Sequence, residues 1–334
     1  MPNKFLNEYK QFQTRNIKRI VRYRLRSFFN IKNNKTDNFF SKNKFLKQIF
    51  ELWLTLAYSV NFFLNKKVSI PQIDFLITTN CTLNCENCAS LIPYYDYDKR
   101  YNLSFNQFKS DLDNLLSSVD KIYRLKLIGG EPLLVEELNE MLEYVCKQKQ
   151  VISVEITTNG TIIPDDKICE TLAKYSKKAL VVLSDYSENK DLNCIKFDKI
   201  RNKLEKYGIY TVFSKYNWFE IGNIKRQDKT NDELIQTFNE CWQKDCLAIS
   251  EGAIYNCTRS TAIASLTDFP LPQSEFVNIR EQNNCSLLKK FNKFFAKEFY
   301  STCSFCNTVL INDIEPSKQI QQNDFPRKID LNQN

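Results

Sequence analysis

Residues 78–90 read TTNCTLNCENCAS and place Cys81, Cys85 and Cys88 within eight positions of a chain that contains no histidine. Three thiols are one short of a closed zinc site and an odd number for disulfides. Thiolates are soft ligands suited to zinc or iron–sulfur clusters, and a cubane held by three cysteines leaves one iron open to another ligand. The absence of histidine excludes Ser-His-Asp and Cys-His nucleophile pairs, HExxH zinc sites and histidine general bases. The chain holds twelve cysteines, while its basic N-terminus shows neither the apolar h-region nor the small-residue cleavage site of an export signal. A cytoplasmic location is expected, with thiols used for metal or redox chemistry rather than for disulfides.

The elements that must position these thiols follow from periodicity. IDFLIT (73–78) reads as a strand ending at the cysteine loop. Ser104 with Gln107 three residues on forms a capping box that opens a helix through about 118. Strand RLKLI (124–128), a helix over 135–148, strand ISVEIT (152–157) and a helix after Pro164 follow. Strand ALVVL (179–183), a helix over 191–207 and strand IYTVF (209–213) complete the alternation. Such alternation implies an α/β protein with βαβ units and a parallel sheet or barrel, whose chemistry sits at the C-terminal strand ends. The cysteine loop, GGEP, TTNG and SDYS follow four successive strands and therefore share one rim. Further on, Thr230 with Glu233 caps a helix that runs into Cys241. LAIS-EG-AIYN (247–256) reads as a hairpin turning at Glu251–Gly252, then come a loop-rich region, a helix over 287–298 and CSFC at 303–306.

Residues 1–44 carry twelve Lys or Arg against two acids, whereas the net charge of the whole chain is +8, so the remainder is slightly acidic. RNIKRIVRYRLRSFFNI (15–31) is a basic amphipathic helix suited to an anionic membrane surface or to packing on its own protein. FLKQIFELWLTLAYSVNFFL (45–64) approaches spanning length, but Lys47, Gln48, Glu51 and Asn61 interrupt it, so a buried or interfacial helix is expected. The tail beyond 316 is polar and is expected to be disordered.

The C-x3-C-x2-C spacing of Cys81, Cys85 and Cys88 after a first strand, with IGGEP (128–132) after a second, resembles the radical S-adenosylmethionine (SAM) superfamily across about residues 70–215. The alternative is a zinc knuckle with a distant fourth cysteine. The resemblance implies a partial (β/α)6 barrel and a [4Fe-4S] cluster whose open iron binds the amino and carboxylate groups of SAM. Reductive cleavage of SAM would then release a 5′-deoxyadenosyl radical that abstracts hydrogen from a substrate. It implies that Gly129, Gly130, Glu131 and Pro132 hold the methionine end, the glycines allowing close approach to the ammonium. Thr158, Asn159 and Ser184 become candidates for the ribose or carboxylate, or for plain strand-end turns. Asn87 stands where the family usually has an aromatic residue, and five barrel strands are read where six are expected.

Cys241, Gly252 and Cys257 in C-x10-G-x4-C spacing, followed by Cys303 and Cys306, resemble the auxiliary-cluster extensions called SPASM and twitch. The shorter twitch type, one auxiliary [4Fe-4S] cluster on these four cysteines, fits better, with Cys246 the rival to Cys241 and structural zinc the alternative occupant. Cys146, Cys169 and Cys194 read as small buried hydrophobes and Cys285 as a spare thiol. The implied organisation is a helical extension (1–68), a radical SAM core (69–225), an auxiliary cysteine-rich domain (226–315) and a disordered tail (316–334). The expected activity is oxidation or epimerisation of a small-molecule, sugar-like substrate. The rivals are maturation of a ribosomally made peptide and a zinc-bound binding protein. Flavodoxin or ferredoxin would donate electrons, residues 15–31 would touch the membrane, and no specific nucleic acid is expected.

Overall fold

The computed structural model describes residues 68–320, apart from 187–188, 190–191, 193–194, 216–217, 245, 282–283, 296 and 308–313, together with positions 48, 49, 52, 53 and 56. The 15–31 helix, Cys194 and the tail from 321 lie outside the described residues, as does the Cys285 side chain.

The strands are β1 (Val68–Ile70), β2 (Ile73–Thr78), β3 (Val119–Ile122), β4 (Leu125–Gly129), β5 (Val154–Thr158), β6 (Ala179–Ser184), β7 (Thr211–Ser214), β8 (Leu247–Ser250), β9 (Ala253–Tyr255) and β10 (Val277–Asn278). The helices are α1 (Phe105–Ser118), α2 (Leu138–Lys147), α3 (Asp166–Lys174), α4 (Phe197–Lys206), α5 (Asn231–Glu240), α6 (Thr258–Leu266) and α7 (Asn284–Phe295). One sheet runs β10-β9-β8-β2-β4-β5-β6-β7, and β1 pairs with β3 in a small second one. From β8 to β7 every pairing is parallel. The expected five core strands are present, and the sixth parallel strand is β8. It is the first arm of the hairpin read at 247–256 and lies on the open edge of β2 rather than after β7.

The local signals explain the frame. Both capping boxes form, Ser104 with Gln107 and Thr230 with Glu233, each satisfying helix donors that would otherwise lack partners. Along the strands the residues alternate with period two. Ile73, Phe75 and Ile77, Leu125 and Leu127, Val154 and Ile156, and Val181 and Leu183 are buried in the main core with α1, α2, α3 and α4. Burying each such side chain contributes about 1.5–3 kcal/mol, and Phe75 meets Phe108 of α1 at 4.8 Å between ring centroids. The intervening residues face the other way. Asp74, Lys126, Ile128, Thr157 and Ser184 line a cavity on the concave side.

Three elements escape periodicity. β1 and β3 are short, and α6 falls in the region read as loop-rich. Residues 258–263 are all buried, so α6 shows no polar face to mark it as amphipathic. Cys146 and Cys169 are buried, as expected. Within the tail read as disordered, residues 316–320 are described, and 318–320 hydrogen-bond to the backbone of Asn84 and Glu86. The positions described between 48 and 56 are helical, and Leu52 is 64% exposed, so this stretch faces solvent there. Among the described residues no helix is long and apolar enough to cross a membrane.

Candidate cofactor and cluster sites

Strand β2 delivers the chain to the cysteine loop, and hydrogen bonds fix its exit. Thr79 N donates to Tyr101 O at 2.9 Å and Asn80 N to Thr78 Oγ1 at 2.9 Å. Cys88 N returns to Cys85 O at 3.2 Å. Cys81, Cys85 and Cys88 line one cavity of about 230 Å³ with Gly129, Gly130, Thr158, Asn159 and Ser184. The loops from four strand ends thus converge. Burial pushes the Cys81 and Cys85 thiols up to about 12 and raises Cys88 as well. A bound metal supplies the positive charge that holds such sulfurs as thiolates.

GGEP also braces the cysteine loop from within. A Cβ on Gly129 would lie 2.0 Å from Thr78 O, and one on Gly130 2.0 Å from Asn80 O. Gly130 N and Glu131 N donate to those same carbonyls at 2.9 and 2.8 Å. The glycines therefore let the second loop seat on the backbone of the cysteine loop. Glu131 is fully buried and absent from the cavity wall. Its carboxylate accepts from Asn159 N (2.8 Å), Thr158 Oγ1 (2.9 Å) and Leu133 N (3.1 Å), tying GGEP to TTNG. Burial pushes this carboxyl up to about 7, against those three hydrogen bonds. Pro132 opens the buried 3-10 turn Pro132–Leu134.

Asn159 donates through Nδ2 to Thr82 Oγ1 at 3.0 Å and lies 3.6 Å from Cys81 Sγ. Thr158 and Asn159 thus brace the cysteine loop while lining the cavity. Ser184 hydrogen-bonds Tyr186, whose half-buried ring lines the same wall and meets Trp218 edge-on at 5.7 Å.

The periodicity arguments passed over the floor of this cavity. Asp74, Lys126 and Glu155 occupy one register row across β2, β4 and β5. Lys126 Nζ lies 3.8 Å from both carboxylates, and Glu155 also pairs with Arg124. Asp74, Lys126, Gln72, Thr157 and Cys246 line the cavity with Thr258, whose buried hydroxyl has no hydrogen-bond partner among the described residues. The available signal is a charge at the second position of three successive apolar strands: IDFLIT, LKLIG and VEITT.

A second cavity, about 290 Å³, is lined by Cys241, Cys257, Cys303 and Cys306. Cys241 is the C-cap of α5 and Cys257 the N-cap of α6, while Cys303 and Cys306 lie in and just after the 3-10 turn Ser301–Phe305. The rival Cys246 lines the first cavity and accepts from Gln72 Nε2 at 3.3 Å. Glu251 and Gly252 both have positive φ, forming the hairpin turn expected there. Among the described residues no three ligand side chains approach closely enough for a single metal ion. The four thiols instead surround a larger space. Arg259, 3% exposed, lines it; its Nη2 donates to Asn223 O and Phe305 O, while its Nε has no partner among the described residues. An uncompensated buried cation is costly. The four thiolates of an anionic cluster would offset that cost, so the donor set fits such a group. Phe219, Ile221, Trp242 and Gln243 line both cavities, which therefore share a wall.

The Radical SAM superfamily profile matches residues 75–205. GTP 3',8-cyclase of Clostridium acetobutylicum is 33% identical over 265 residues, 71% of this chain and 76% of that protein. The Bacillus subtilis antilisterial bacteriocin subtilosin biosynthesis protein AlbA is 27% identical over 191 residues, covering 51% of this chain. This chain spans only 39% of AlbA and 50% of a GTP 3',8-cyclase from Campylobacter jejuni. Among solved structures, BtrN in complex with AdoMet and 2-DOIA aligns with a TM-score of 0.47 at 16% identity, over 75% of this chain and 97% of BtrN. With the three-cysteine loop and GGEP meeting on one rim of a parallel sheet, the superfamily profile on residues 75–205, and the Clostridium acetobutylicum GTP 3',8-cyclase 33% identical over 76% of its length, the chain belongs to the radical SAM superfamily.

Proposed function

We propose that this protein oxidises a small polyhydroxylated, sugar-like molecule, using SAM at a [4Fe-4S] cluster on Cys81, Cys85 and Cys88 and an auxiliary [4Fe-4S] cluster on Cys241, Cys257, Cys303 and Cys306. When bound, the first cluster and SAM supply the radical that removes a hydrogen atom from the substrate. The wall shared by the two thiol-lined cavities carries the reading. A substrate left with an unpaired electron in the first cavity lies next to an acceptor in the second, across Phe219 and Trp242. The floor favours a small polar guest. Asp74 accepts, Lys126 donates, and Gln72, Thr157 and Thr258 offer amide and hydroxyl groups, a mixed set suited to several hydroxyls on one ring. An electron donor such as flavodoxin or ferredoxin would reduce the first cluster.

Epimerisation is a second reading, favoured by one observation: the Cys246 thiol lines the substrate cavity and not the auxiliary one. Such a thiol could return a hydrogen atom to the opposite face of the carbon.

Anaerobically reconstituted protein tests the scheme. Replacing Cys81, Cys85 and Cys88 together by Ala should remove about four irons per chain and all 5′-deoxyadenosine formation. Replacing Cys303 and Cys306 should remove about four irons and spare uncoupled SAM cleavage. Amino sugars and cyclitols should stimulate 5′-deoxyadenosine release in the unaltered protein and not in Lys126→Met. Stimulation by peptides alone would sink the small-molecule assignment, and deuterium from solvent at a product carbon, lost in Cys246→Ala, would select epimerisation.

A further inference from the structure

We infer that residues 316–320 form a strap that donates hydrogen bonds to the Cys85 sulfur and raises the reduction potential of the cluster assigned to Cys81, Cys85 and Cys88. The inference rests on that assignment. The strap is seated by backbone pairing, since Gln319 bridges antiparallel to Cys85. Glu86 N donates to Lys318 O, and Ile320 N to Asn84 O, both at 2.8 Å. Lys318 also pairs with Glu86 at 3.0 Å, and Asn189 Nδ2 donates to Pro316 O at 2.9 Å. Ser317 lies in a turn and Gln319 at the bridge, and both side chains reach the sulfur.

The hydrogen-bond polarity is fixed by the neighbours. Gln319 Oε1 accepts from Asn84 N at 2.7 Å, so its amide nitrogen faces inward, donating to Ser317 O at 2.5 Å and lying 3.2 Å from Ser317 Oγ and 3.6 Å from Cys85 Sγ. Ser317 Oγ lies 2.9 Å from Cys85 Sγ. A thiolate can only accept, so the Ser317 hydroxyl is the donor of that pair, and the second N–H of Gln319 is shared between Ser317 Oγ and the sulfur. Ser317 is fully buried at φ 55°, a conformation that a non-glycine residue holds only where its surroundings impose it. Donors on a ligand sulfur withdraw negative charge and favour the reduced cluster, and excluding water from that sulfur protects the irons.

The test uses full-length reconstituted protein, following by EPR the reduced-cluster signal that changes when SAM is added. Ser317→Ala with Gln319→Leu should lower the midpoint potential of that signal and speed iron loss to a chelator, leaving the SAM-insensitive signal unmoved. Gln319→Leu alone, which leaves the buried serine in place, should give a smaller shift in the same direction. An unchanged midpoint in both Ser317→Ala/Gln319→Leu and Gln319→Leu, with the signal intact, overturns the strap. Absence of any SAM-sensitive signal in the unaltered protein overturns the cluster assignment instead.

Discussion

Glu131 and Gly130 show how single residues hold the loops of the site together. Glu131 gives one carboxylate oxygen to Thr158 at the end of β5 and to Leu133 N, and the other to Asn159 N, and every partner is a donor. A glutamine has one acceptor oxygen, so its amide nitrogen must face an N–H. Glu131→Gln is therefore expected to destabilise the apoprotein by about 1–3 kcal/mol, read by urea unfolding, and to loosen SAM binding. Equal stability for the two proteins would mean that the carboxylate is already protonated and that one acceptor is enough. Gly130→Ala is more severe, because the new methyl would meet the Asn80 carbonyl, which is backbone and has little room to yield.

At the scale of elements, the β8–β9 hairpin connects the two cavities. β8 pairs with β2, the strand that carries the cysteine loop, while β9 leads to Cys257 at the start of α6. Gly252 makes the turn at φ 77°, and an added Cβ would lie 2.2 Å from Arg280 Nε. That arginine donates to both oxygens of buried Asp111 on α1, at 2.8 and 2.9 Å. Gly252→Val should therefore displace Arg280 and the hairpin together. Iron analysis should find the auxiliary set depleted, with the SAM-sensitive cluster largely retained. Loss of both clusters in parallel would show that the hairpin is needed for the whole sheet.

On the scale of the whole molecule, charge is divided between a strongly basic N-terminal arm and a slightly acidic remainder. Ile49, Leu52, Trp53 and Leu56 stand at helical spacing, all exposed. Apolar burial at a lipid interface combined with salt-sensitive attraction to anionic head groups would use both features. Full-length protein should co-sediment with anionic vesicles at low salt and release at high salt, whereas a chain beginning at residue 68 should stay in the supernatant. Should both remain in the supernatant and the shortened chain lose its iron, the arm is a packing element of the fold.

Alternating strands and helices, both capping boxes, the cysteine spacings and the hairpin turn were legible in the chain, because each depends on local periodicity, local hydrogen bonds or a required φ. The charged row on the floor was also written there, as Asp74, Lys126 and Glu155, but nothing local says that three strands stand in register. Tertiary structure alone put the sixth parallel strand beside β2, separated Cys246 from Cys241, and brought Ser317 and Gln319 to Cys85. Each of these joins residues far apart in the chain, and packing rather than periodicity fixes such neighbours. The same holds for Glu131, whose role as a clamp became visible only when its three donors were placed around it.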